Sequence, residues 1–213
     1  MDRPEATDGG ADDHGHDHEH EDNRNREDDH GHDHGHDHHR HDIEELGFGI
    51  VTVSSSRGVD ADTSGDAIAE LVDEAGHAVS TREVVNDEFD TVQDTVDRLV
   101  KRRDTDSVVT TGGTGVTPDD VTIEAVEPLF DKQLPGFGEL FRSLSREEIG
   151  TKVVGTRATA GVADGAPVFC LPGSENAVRL GTGSIIVEEA PHLAGLARRD
   201  DPEDGEGATT DSR

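Results

Sequence analysis

The chain has 213 residues, with 49 acidic against 19 basic residues, a formal charge of −30 and 3% aromatic residues. That balance excludes duplex nucleic acid as a partner, since such binding sets Lys and Arg against phosphates. A single cysteine, Cys170, excludes an internal disulfide. No apolar run nears the roughly 20 residues of a membrane span, and the N-terminus has no apolar signal core, so no membrane partner and a cytoplasmic location are expected.

Residues 1–42 hold 11 of the 13 histidines, 15 acidic residues, four arginines and almost nothing apolar. Such a segment buries too little surface to offset the entropy of ordering and is expected to be a disordered tail. Its imidazoles alternate with carboxylates at His14, His16, His18, His30, His32, His34, His36 and His38. That pattern suits weak, multi-site binding of zinc, nickel or copper, without the fixed spacing of a structural site. Residues 198–213 form a second, acidic tail. One domain is left, residues 43–197. It carries 28 acidic and 12 basic residues, a balance of −16, and lysine only at 101, 132 and 152. Acidic surface with arginine over lysine fits a salt-rich cytoplasm such as that of a halophilic archaeon, where charge is screened over about 3 Å at 1 M salt.

Within the domain, GFGIVTVS (47–54) reads as a buried strand. A helix is expected from Gly65 to about Ala75, with Ile68, Leu71, Val72 and Ala75 on one face. HAVSTREVV (77–85) reads as a second strand. Phe89, Val92, Val96, Leu99 and Val100 recur at helical spacing, ending in basic residues that suit a helix C-terminus. DSVVTT (106–111) is a third strand and VTIEAVEPLF a short helix. Residues 135–150 read as a loop and helix with an apolar stripe at Phe137, Leu140, Phe141 and Leu144. VVGTRATAGV and PVFCLPG form a hairpin-like pair turning at Asp164-Gly165. A final helix, interrupted by glycines, starts near Glu175. Strands alternating with helices predict an α/β fold with a mostly parallel sheet. Ligands bind such sheets where loops leave the carboxyl ends of strands, here after Val53, Val85 and Val109.

The loop after the third strand reads TGGTGVTPDD (111–120). It lacks the Gly-Lys-Ser/Thr of a P-loop and is no GxGxxG fingerprint. Gly112, Gly113 and Gly115 allow backbone N–H groups to face an anion at a helix N-terminus; a bare strand-to-helix turn reads equally well. Asp62, Asp87 and Asp120 each follow a predicted strand. Carboxylates beside a phosphate repel it unless a divalent cation bridges them, as Mg²⁺ does with one or two carboxylates. Pro172-Gly173-Ser174 is a turn and helix N-cap. Cys170, in VFCLPG, reads as a small core residue.

Taken in order, TVSSSR with DADTSGDAI (52–68), VVND (84–87), TTGGTGVTPDDVT (110–122), LFDKQLPGFGELFR (129–142), RATAGV (157–162) and LPGS (171–174) resemble the MoaB/Mog family of molybdenum-cofactor biosynthesis. The resemblance implies a three-layer α/β/α domain assembled as a homotrimer or hexamer. It also implies molybdopterin binding and adenylylation with Mg-ATP: the terminal phosphate of molybdopterin attacks the α-phosphate and pyrophosphate leaves. It places Mg²⁺ binding and catalysis on Asp87 and Asp120. The molybdopterin phosphate falls to Thr111, Gly112, Gly113, Thr114 and Gly115, and the site lining to Ser54, Asp62, Ser64, Gly65, Glu139, Pro172, Gly173 and Ser174. A downstream molybdenum-insertion protein is an implied partner. This chain departs from the pattern at Ser54-Ser55, where many relatives have Ser-Asp, and at Glu175-Asn176, where many have a lysine. Some members of the family are not catalytically competent, which leaves a molybdopterin carrier with a metal-binding tail as the alternative.

Overall fold

The β-branched stretch of residues 47–53 has no polar side to offer water, and it becomes an interior strand of a sheet, paired on both edges. The computed structural model describes residues 42–54 and 61–198; the histidine-rich segment, residues 55–60 and the acidic C-terminal segment lie outside the described residues. In chain order come β1 (Gly47–Val53), α1 (Thr63–Glu74), β2 (Ala78–Val85), α2 (Phe89–Val100), β3 (Ser107–Thr111) and α3 (Thr122–Val126). There follow β4 (Lys132–Gln133), α4 (Pro135–Ile149), β5 (Thr159–Ala163), β6 (Ala166–Leu171), α5 (Glu175–Gly181) and α6 (Val187–Ala197). The six strands form one sheet in the order β2-β1-β3-β6-β5-β4. β2, β1, β3 and β6 run parallel; β5 and β4 are antiparallel additions at one edge.

Strand alternation divides the core into two layers. Phe48, Ile50, Val109, Phe169 and Leu171 face α1, α4, α5 and α6. Val51, Val53, Val108, Val168 and Cys170 face α2 and α3. Helices therefore cover both faces, which a parallel sheet requires because its strands are apolar on both sides. Cys170 is fully buried in the second layer, and burial pushes its thiol up to about 12, so it stays protonated and inert.

Three details differ from the sequence expectation. Lys132–Gln133 adds a short edge strand paired to β5. Residues 150–155 form a 3₁₀ turn rather than the start of a strand. The final helix is two helices joined by a π turn over Thr182–Ile186, which buries Thr182, Ile185 and Ile186. Gly181, at the end of α5, has no room for a side chain: a Cβ there would lie 2.4 Å from Leu171 Cδ2. Glycine allows α5 to approach β6 that closely, at a cost in helix propensity.

Candidate functional site

The carboxyl ends of β1, β2, β3 and β6 open on the same side, and the loops leaving them build the site. Two cavities meet there. The smaller, about 290 Å³, is lined by Ser54 just after β1, Ser64 from α1, Asp87 after β2, Thr111 at the end of β3, and Asp119 and Asp120 from the loop that follows. The larger, about 720 Å³, is more apolar and is lined by Thr114, Gly115, Phe141, Leu180, Pro172 and Ser174, among others. Gly112, Gly113, Asp120 and Gly173 belong to both.

Gly112 and Gly113 shape the common wall. Both have positive φ, 96° and 62°. A Cβ on Gly112 would lie 2.2 Å from the Val53 carbonyl oxygen, and one on Gly113 2.3 Å from Thr122 Oγ1. Thr122 locks the loop from below, its hydroxyl donating to Gly112 O (2.8 Å) and its amide to Gly113 O (3.0 Å). The Gly112 amide donates to Leu171 O at 3.0 Å, so it continues the sheet and faces no ligand. The Gly115 amide is turned to Asp120. Within the TGGTG segment, Gly113 and Thr114 are the glycine-loop residues whose amides meet no acceptor among the described residues. The cradle is therefore narrower than the three glycines suggest, and α3, five residues long, adds little dipole to it.

Asp120 is half-buried over Gly115. Its carboxylate accepts from the Thr117 amide (2.8 Å) and hydroxyl (2.6 Å). Burial pushes its pKa up, but the bonds from Thr117 and Gly115, with the Arg157 charge, outweigh that and hold it below the ordinary carboxylate value. Asp120 is thus an anion across the physiological range. Asp87, also half-buried, comes to the same cavity from β2. No group of three or more His, Cys, Asp or Glu placed to hold a metal occurs among the described residues. A pair of carboxylates suits Mg²⁺ that arrives with phosphates and keeps part of its water, rather than a resident ion in an all-protein cage.

Other expected residues have structural duties. Asp62 lines neither cavity. It is the N-cap of α1, fully buried, and accepts from Gly65 N (2.9 Å), Thr52 Oγ1 (2.7 Å) and Arg82 Nη2 (2.9 Å). Gly65 leaves room for that cluster: a Cβ there would meet Asp62 Oδ2 at 2.1 Å. Ser64 both lines the smaller cavity and ties α1 to the β6 turn, donating to Gly173 O at 2.9 Å. Thr111 donates to Pro172 O at 3.1 Å, and Ser174 caps α5 by accepting from Ala177 N. Glu139 faces a separate cavity of about 460 Å³, beside Arg142 and Arg157. The tail histidines 14 to 38 lie outside the described residues.

Two residues were not singled out from sequence. Lys152, on the 3₁₀ turn, is the cation lining the larger cavity, among Asp120, Glu148 and Glu175. Arg157 braces the Asp120 loop from β5's side. The first was legible only as one of three lysines, the second only as part of RATAGV.

A family profile described as a probable molybdopterin binding domain matches residues 49–192, the span that contains every strand-end loop of the cleft. This chain belongs to the MoaB/Mog family. The molybdenum cofactor biosynthesis protein B of Bacillus subtilis is 44% identical to it over 152 residues, covering 71% of this chain and 89% of that protein. A crystal structure of a molybdenum cofactor biosynthesis protein B matches at a TM-score of 0.71 and 43% identity, covering 73% of this chain and 97% of the other. MoaB of Pyrococcus furiosus, described as a tungsten cofactor synthesizing protein, matches at a TM-score of 0.67 and 42% identity, covering 73% and 99%. The MoaB/Mog fold is the one described above, with its mostly parallel six-stranded sheet and helices on both faces.

Proposed function

We propose that this chain acts in molybdenum- or tungsten-cofactor biosynthesis as a molybdopterin adenylyltransferase of the cytoplasm. The observation that carries the reading is the meeting of Asp87 and Asp120, from two different strand ends, with the Gly112-Gly113 wall in one small polar cavity. The names of its relatives support the pathway. The larger cavity, with Phe141 and Leu180 beside polar loop backbone, has the size and mixed lining a fused heterocycle needs.

In this reading a phosphate oxygen of molybdopterin attacks the α-phosphorus of ATP. A new P–O bond forms, the bond to the β-phosphate oxygen breaks, and pyrophosphate carries away the electron pair. The amides of Gly113 and Thr114 would hold the attacking phosphate. Asp87 and Asp120 would hold Mg²⁺, which when bound with the nucleotide offsets phosphate charge. Thr117 and Gly115 keep Asp120 aimed and ionised. Catalysis is then mostly positioning and charge neutralisation. The test is incubation of molybdopterin with Mg-ATP at high salt. Wild type should form adenylyl-molybdopterin and pyrophosphate; Asp120→Ala should lose on the order of 100-fold or more in kcat. No product from wild type would refute the enzyme reading.

The charge of the larger cavity favours a second reading, a molybdopterin carrier. Asp120, Glu148 and Glu175 outnumber Lys152 there, which weakens the case for ATP. Tight pterin binding with neither ATP binding nor turnover would establish that alternative.

A further inference from the structure

Residues 114–121 arch out of the sheet between the Gly112-Gly113 wall and α3, and they carry Asp120. Their internal bonds converge on Asp120: Asp120 N donates to Thr117 O at 3.1 Å, Thr117 donates back to the Asp120 carboxylate, and the Gly115 amide is turned to the same carboxylate. Those bonds give the arch a shape but do not fix where it stands. The brace comes from Arg157, just before β5. Its Nε donates to Gly115 O at 2.6 Å and its Nη2 to Asp120 O at 3.2 Å. Nη1 pairs with the Glu124 carboxylate on α3, and Nη2 reaches the same carboxylate at 3.3 Å. One planar guanidinium thus grips both feet of the arch and the helix that follows it. The fork geometry is one that lysine cannot reproduce. Arg157 itself lines the neighbouring Glu139 cavity and neither cavity of the cleft.

We propose that Arg157 is a positioning residue of this site: with Glu124 it holds the 114–121 arch so that Asp120 stays at the junction of the two cavities. The proposal rests on the adenylyltransferase reading only for its effect on turnover. The residue is one-third exposed and its ion pair lies at the surface, where such pairs contribute little to global stability. Its loss should therefore loosen the arch without unfolding the domain.

The experiment compares wild type, Arg157→Lys, Arg157→Ala and Glu124→Gln by amide hydrogen exchange of residues 113–122, thermal unfolding and steady-state kinetics. In Arg157→Ala the arch amides should exchange at least about tenfold faster, with the exchange of β1 and β3 unchanged. The kcat should fall on the order of 10–100-fold while KM for ATP moves less than about threefold, because positioning is lost rather than binding. Arg157→Lys should keep the charge and recover only part of kcat, and Glu124→Gln should loosen the arch less than Arg157→Ala. Unchanged arch exchange in Arg157→Ala overturns the proposal, whether or not wild type turns over ATP. So does unchanged kcat alongside a loosened arch. Exchange needs no substrate, so failure of the adenylyltransferase reading and failure of this one separate cleanly.

Discussion

Gly112 shows how one residue joins stability and function. Its positive φ and the 2.2 Å approach of a Cβ to Val53 O leave no rotamer escape, since the obstacle is backbone. Gly112→Ala should cost at least about 2 kcal/mol and displace the cradle, read by urea unfolding and by loss of pterin binding. Lys152 should matter for ligand and not for fold: Lys152→Ala should weaken ATP binding several-fold in calorimetry and leave the melting temperature unchanged. Asp62 should do the reverse. Burial raises its pKa, but the Gly65, Thr52 and Arg82 hydrogen bonds and the Arg82 charge outweigh that, so the folded value lies below 3.8. A lowered carboxylate stabilises above its unfolded pKa, and that stability is lost as pH falls from there through the folded value. Asp62→Asn should remove about 3 kcal/mol, the low end for a broken buried pair because Arg82 keeps some solvent, and should flatten the acid limb of stability against pH below about 4. Its role was hidden in the sequence because placement at a strand end does not say which way a side chain turns. Asp62 turns inward to Thr52 and Arg82, while Asp87 and Asp120 turn to the cleft.

Among the elements, short apolar and β-branched runs and period-3.6 patterns carried most of the fold. The stretches of residues 47–53, 107–111 and 166–171 show no alternation of apolar and polar positions, which marks strands covered on both faces, and the structure places them side by side. Residues 132–133 were not legible as a strand, since two exposed residues have no pattern; beside them Phe130 packs over Gly161, where a Cβ would fall 2.3 Å from the ring. The π turn was likewise silent, since glycines at 181 and 183 indicate a weak helix but not the way it relaxes. Element ends, by contrast, decide the site. Ser64 links α1 to the β6 turn through Gly173 O. Ser64→Ala should cost about 1 kcal/mol by denaturant unfolding and loosen ligand binding by a larger factor than that loss alone implies. An effect on stability with no effect on binding would make the link purely structural.

Over the whole molecule, charge is the dominant long-range term. The domain of residues 43–197 carries −16, and several of its ion pairs are exposed, such as Arg98–Glu83 and Arg179–Glu70. Exposed pairs contribute about 0–1 kcal/mol each, too little to offset mutual repulsion of the excess carboxylates. Stability should therefore rise from ~0.1 M to ~1 M KCl, as the screening length shrinks from about 10 Å to about 3 Å. A melting temperature that falls with salt would show that the pairs dominate instead. The motifs at residues 52–68, 84–87, 110–122 and 171–174 made the cleft legible at this scale, because each includes the carboxyl end of a parallel strand and the topology gathers those ends together. The central claim concerns what happens between the Gly113 and Thr114 amides and the two aspartates, and isotope transfer tests it most directly. With ATP labelled at the α-phosphate, molybdopterin and Mg²⁺ at high salt, the account predicts label on molybdopterin, released pyrophosphate in equal amount, and both slowed on the order of 100-fold or more with Asp120→Ala. Label that stays on nucleotide would contradict it.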